Sequence, residues 1–131
     1  ALLGLGRSEQ GVDSPGRTER ETRERAAAAL AERLGCAVLL TGPVDIAAAP
    51  GGSMEAVSGG SALAPLVTGS GCMLSALCGA FAAVTEDMFA AAAAASRFWK
   101  RCSERAEELC SGRGPGSFRA ALMDAAAEYG R

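Results

Sequence analysis

No histidine occurs among the 131 residues, which removes imidazole from every catalytic and metal-binding scheme open to the chain. A Cys–His hydrolase cannot be assembled without that base, and zinc-finger spacing is absent. Cysteine is present at positions 36, 72, 78, 102 and 110, an odd number with no C-x-x-C pair. That pattern predicts a reduced, cytoplasmic protein rather than a disulfide framework. Aromatic side chains are scarce, with one Trp, one Tyr and four Phe, although 49% of residues are hydrophobic. Much of that fraction is alanine, which suits closely packed helices better than a bulky β-sandwich core. Charge of either sign is not in excess, with 13 basic and 15 acidic residues. No electrostatic argument therefore favours nucleic acid or an anionic membrane. Long apolar runs are missing too: the alanines at 90–95 are followed closely by Arg97 and Lys100, so no membrane span is expected. Ala1–Gly6 is too short for a signal peptide and lacks a basic start.

What stands out against this background is Val67-Thr68-Gly69-Ser70-Gly71-Cys72-Met73-Leu74-Ser75-Ala76-Leu77, a glycine-rich turn running directly into an apolar helical pattern. Glycines at 69 and 71 permit positive φ and close approach of the backbone to a ligand. The first amides of the helix then point at the occupant of the turn, and the helix dipole favours negative charge there. A cysteine at such a terminus has its thiolate stabilised. Anion-holding amides beside an activatable sulfur point to phosphoryl transfer or a thiol nucleophile. A P-loop is excluded, because the lysine of G-x-x-x-x-G-K-[ST] is missing.

The rest of the chain, one domain's worth or half of a larger one, reads as helix, strand, hairpin, then three helices. Thr18-Glu19-Arg20-Glu21 has capping-box spacing and opens a helix over 18–34, with Ala27, Leu30 and Leu34 on its apolar side and Gly35 as its stop. Cys36–Leu40 is an unbroken apolar run, as expected of a strand buried on both faces of a parallel sheet. Thr41-Gly42 ends it at the edge where open α/β sheets bind ligands. Weaker strands are predicted at 44–48 and 55–58, joined by Pro50-Gly51-Gly52-Ser53. Helices are predicted over 71–84, from Thr85-Glu86-Asp87 to Cys110, and from about Pro115 or Ser117 to Tyr129, the last with Phe118, Ala121, Leu122 and Ala125 inward. Cys36, Cys78, Cys102 and Cys110 read as packing residues, whereas Cys72 reads either as a small buried hydrophobe or as a functional thiol. Asp13 and Asp45 are carboxylates that spacing alone does not single out.

The motif at 67–77, continuing into Gly79-Ala80-Phe81, resembles the hydroxyethylthiazole kinase family of thiamine biosynthesis, within the ribokinase-like superfamily. Gly11-Val12-Asp13-Ser14, Leu40-Thr41-Gly42-Pro43-Val44-Asp45 and Gly114-Pro115-Gly116-Ser117-Phe118-Arg119 agree in order and spacing. Most ribokinase-like relatives carry aspartate where Cys72 stands, so the cysteine favours this family over kinases of other small alcohols. The resemblance implies an α/β, three-layer fold with a mostly parallel central sheet, of which residues 1–131 are the helix-rich C-terminal portion of a single kinase domain. It implies phosphorylation of the alcohol of hydroxyethylthiazole by ATP with Mg²⁺, in a homotrimer when full length. Thr41 falls on a threonine that contacts ATP and Gly69 on a glycine that contacts the thiazole. Gly69, Ser70, Gly71 and Cys72 fall on the anion hole, with Cys72 near the reacting hydroxyl and the Gly71, Cys72 and Met73 amides facing the transferred group. No metal ligand is assigned within the chain.

The segment before the motif, Ser58–Leu66, departs from the polar stretch usual in the family. The family's Arg-Gly-Asn-x-Ser-Glu element and its thiazole-packing methionine would lie upstream of Ala1. The chain alone is therefore expected to be inactive, and a non-catalytic module keeping half of the fold is the alternative reading.

Overall fold

A computed structural model describes residues 19–130 of the chain. Thr18 of the capping box, Asp13 and the Gly11–Ser14 segment lie outside the described residues. Helix α1 spans Glu19–Leu34, with Glu19 and Glu21 in a first turn whose dipole favours acid. Its buried residues are Ala27 and Ala31, which rest on Ile46 and Ala48 of the sheet. Of the predicted apolar side, Ala27 is buried as expected and Leu30 is partly buried, and the correction falls on Leu34. Leu34 is 52% exposed, and the contacting stripe is made of alanines, whose small side chains let helix and strand approach closely. Gly35, at φ 64°, ends the helix as expected.

Three short strands follow: β1 at Val38–Leu40, β2 at Asp45–Ala48 and β3 at Met54–Val57. They pair in the order β1-β2-β3, antiparallel throughout, with Leu40 opposite Ile46 and Asp45 opposite Val57. The hairpin is where the sequence places it. The mostly parallel sheet is not what these strands form. Only residues 41–44 join β1 to β2, and a parallel pair needs a crossover of roughly a dozen residues or more. Burial is also redistributed: β1 is a half-buried edge, while β2 is buried at all four positions between its neighbours.

Helices occupy both faces of β2. Ile46 and Ala48 face α1, and α3, Met88–Cys110, lies against all three strands. Asp87 caps α3, its Oδ1 accepting from Ala90 N at 2.9 Å. Along α3, Ala95, Trp99, Cys102, Ala106 and Cys110 repeat at helical spacing and meet Phe118, Ala121, Leu122 and Ala125 of α4, Pro115–Tyr129. These four α4 residues are the ones the sequence predicts to face inward. Helix α2, Ser70–Ala82, packs on α3, with Leu74 its one buried residue. Cys102 and Cys110 are buried as expected of packing residues, but Cys36, just past the end of α1, is exposed.

Candidate active site

The entry into α2 is set by a short 3-10 turn at Ala64–Leu66 and by Gly69, whose φ of 92° and ψ of −2° lie in the left-handed region. A side chain there is strained, so this glycine is required by the turn. Gly71 is different. It sits inside the first helical turn without positive φ, which corrects the expectation that both glycines serve the bend. A Cβ on Gly71 would enter open space.

The first-turn amides divide into two pairs. Ser70 N donates to Val67 O at 3.2 Å and Met73 N to Gly69 O at 3.0 Å. Gly71 N and Cys72 N have no hydrogen-bond partner among the described residues, and no side chain caps the helix. Two adjacent donors at a dipole terminus therefore remain to receive an anion. The unengaged set is narrower than the one expected from the sequence by Ser70 and Met73, whose amides close the turn and the first helical ring.

A cavity of about 670 Å³ opens beside this terminus. Thr41, Gly42 and Pro43, following β1, form one wall, and Gly59, Gly60 and Ser61 form part of another, with Ser70 and Gly71 at the α2 end. A second cavity of about 440 Å³ is lined by Leu39, Thr41, Gly71, Leu74, Ser75 and Cys78. Thr41, Gly71 and Leu74 line both, so they stand where the two spaces meet. Thr41 and the glycine turn, far apart in sequence, are thus brought together. Gly69 and Cys72 line neither cavity, and Cys72 is exposed. Cys78 is half-buried, and burial raises its pKa, with the Asp45 carboxylate acting in the same direction. Both causes favour the protonated thiol.

The Thr41–Pro43 loop is held from several sides. Arg23 Nη2 of α1 donates to Thr41 O at 3.0 Å. Gly42 N donates to Asp45 Oδ1 at 2.8 Å, and Ser96 Oγ of α3 donates to Asp45 Oδ2 at 2.7 Å. Lys100 Nζ lies 3.6 Å from Asp45 Oδ1, the two side chains 11% and 6% exposed. Sequence reasoning left Asp45 unassigned and used Lys100 only against a membrane span. The available signal was Ser96, Lys100, Ser103 and Glu104, a polar stripe at i, i+4, i+7 and i+8 on an otherwise apolar helix face. No group of three His, Cys, Asp or Glu side chains able to hold a metal ion occurs among the described residues. No described helix is long and apolar enough to cross a membrane.

A model of the hydroxyethylthiazole kinase family matches residues 1–129. The chain is similar to hydroxyethylthiazole kinase of Listeria welshimeri, 44% identical over 92 residues that make up 70% of this chain and 34% of that protein. It is 39% identical over 124 residues to hydroxyethylthiazole kinase of Desulfitobacterium hafniense, covering 95% of this chain and 45% of that one. Among solved structures, hydroxyethylthiazole kinase from Pyrococcus horikoshii superposes with a TM-score of 0.74 at 36% identity, covering 82% of this chain and 41% of the other. The chain thus spans between about a third and somewhat under half of the length of these relatives.

Proposed function

The chain belongs to the hydroxyethylthiazole kinase family, and on that premise we propose that the complete protein transfers the γ-phosphoryl group of ATP to the alcohol of hydroxyethylthiazole. The single observation supporting this chemistry is the pair of unengaged amides at Gly71 and Cys72, beside the junction of two cavities. Phosphoryl transfer needs developing charge on the γ-phosphoryl oxygens neutralised and the alcohol held in line. Fixed main-chain donors do the first without reorganising as the reaction proceeds. In this reading Gly71 N and Cys72 N receive the migrating group, with Gly69 and Ser70 shaping the anion hole around them. The larger cavity, with Thr41 in its wall, takes the nucleotide, and the thiazole lies on the α2 side near Gly69 and the smaller cavity. The alcohol oxygen attacks phosphorus as the bond to the bridging oxygen breaks and ADP leaves. Cys72 orients the alcohol and, reacting as its thiolate, takes the alcohol proton late and becomes the thiol.

Mg²⁺, implied by the family resemblance, finds no ligand cluster among the described residues. Asp45, the carboxylate lining the larger cavity, is already engaged by Gly42, Ser96 and Lys100. No step is assigned to the metal. A cytoplasmic location rests on the cysteine pattern and the resemblance, and a trimeric assembly on the resemblance.

The test is a coupled ADP-release assay on the complete protein with ATP, hydroxyethylthiazole and a panel of pyrimidine and sugar alcohols. Turnover confined to the thiazole alcohol is expected. Preference for another alcohol, or no turnover with any, overturns the reading.

A further inference from the structure

The ammonium of Lys100 meets both walls of the larger cavity at once. Its Nζ donates to Gly42 O at 3.5 Å and Pro43 O at 3.3 Å on one wall, and to Gly59 O at 3.1 Å on the other. Asp45 Oδ1, at 3.6 Å, supplies the compensating charge. An ammonium has three N–H donors and no acceptor capacity, so three carbonyls and one carboxylate account for it fully. The same face of α3 holds the second wall at two further points. Glu104 Oε1 accepts from Gly60 N at 2.8 Å, and Ser103 Oγ accepts from Ser61 N at 3.0 Å. Gly60, at φ 90°, lies so close that a Cβ would stand 3.2 Å from Ser103 Oγ and 3.3 Å from Lys100 Cγ. The wall is therefore seated directly on the lysine stem.

We propose that Lys100 is a positioning residue that sets the separation of the Thr41–Pro43 and Gly59–Ser61 loops, and with it the fit of the nucleotide. This inference rests on assigning the larger cavity to nucleotide. Lys100 touches main-chain carbonyls on both walls, within 3.5 Å of Gly42 O, Pro43 O and Gly59 O. Its geometry also distinguishes it from arginine. A compact ammonium reaches three converging carbonyls, whereas a planar guanidinium presents a rigid fork that does not match them.

The experiment compares the complete protein, wild type and Lys100→Met, by hydrogen-exchange mass spectrometry and by calorimetric titration with ADP. In Lys100→Met, exchange is expected to accelerate by about tenfold at peptides containing Gly42 and Gly60–Ser61 while α4 is unchanged. ADP affinity is expected to fall by about tenfold. Lys100→Arg should not restore either readout, whereas a role in overall charge alone predicts that it does. Unchanged loop exchange in Lys100→Met overturns the proposal. Should Lys100→Met fail to fold, the double variant Lys100→Met with Asp45→Asn is compared with Asp45→Asn alone, so that any further loosening at Gly60–Ser61, which Asp45 does not hold, belongs to the lysine. If the double variant also fails, the lysine is a folding determinant and the proposal is wrong. If wild type binds no ADP but the loops still loosen in the variant, the nucleotide assignment falls and the clamp stands.

Discussion

Asp45 Oδ2 accepts a 2.7 Å hydrogen bond from Ser96 Oγ, with both residues buried where β2 meets α3. The other carboxylate oxygen holds Gly42 N at 2.8 Å, so a single side chain fastens the Thr41–Pro43 loop to the helix behind the sheet. Ser96→Ala removes one donor and leaves a buried acceptor unpaired, which costs about 1–3 kcal/mol. Denaturant unfolding should show that loss without a change in the dependence on denaturant. A loss below about 0.5 kcal/mol, the size usual for uninvolved surface changes, would mean that Ser96 does not support the loop.

Gly69 and Gly71 are expected to respond in opposite directions. Gly69→Ala places a side chain at φ 92° and should destabilise by about 1–3 kcal/mol. Gly71→Ala occupies an ordinary helical position with open space above it, and should stabilise the fold by about 0.5–1 kcal/mol. Because Gly71 lines both cavities, the added methyl should at the same time lower kcat/KM by at least tenfold. Thermal melts and steady-state kinetics on the same two variants check all of this. A Gly71→Ala protein that is more stable and fully active would detach Gly71 from the chemistry.

This contrast also marks how far the sequence can be read. The motif at 67–77 identifies a turn into a helix, because glycine followed by an apolar helical period marks such an entry; the anion-receiving role is the reading placed on its two amides without a partner among the described residues. The motif does not say which glycine takes positive φ, since only one such residue is needed and two are present. The α4 boundaries are legible from Pro115 at the first turn and from Phe118, Ala121, Leu122 and Ala125 at helical spacing. Strand direction is not legible from Val38–Leu40, because three apolar residues read alike in either sense. The short connector at 41–44 decides it. Lys100 escapes notice for another reason: its partners, Gly42, Pro43 and Gly59, are brought to it only by the folded sheet and loop.

Cys72 lies in the first turn of α2, exposed, and away from the linings of both cavities. Cys72→Ala should therefore leave stability within about 0.5 kcal/mol of wild type. If Cys72 orients the alcohol and, as the thiolate, accepts its proton, kcat of Cys72→Ala falls by about a hundredfold or more while KM for the thiazole is nearly unchanged. Steady-state kinetics with saturating ATP separate the two parameters. Unchanged kcat removes the cysteine from the mechanism and leaves the Gly71 and Cys72 amides, which the substitution does not alter, as the catalytic groups.

Cys102 gives the fold a dependence on alkaline pH. Fully enclosed between α3 and α4, its thiol is pushed up to about 11 by burial, which outweighs the opposing Arg101 charge. In the unfolded chain the same thiol titrates near its ordinary value of 9.0. Below that value both states hold the proton and the contribution to stability is complete. As pH rises from 9.0 toward about 11, the unfolded state releases its proton while the native state retains it, so stability falls. The loss attributable to this residue is on the order of 3 kcal/mol across that window. Other groups titrate there too, so the measurement is a difference: denaturant unfolding at pH 7.5 and pH 10 for wild type and for Cys102→Ala. The variant starts less stable, because a buried side chain is truncated, but should lose less between the two pH values. Equal losses would show that the Cys102 thiol is not held protonated by its surroundings.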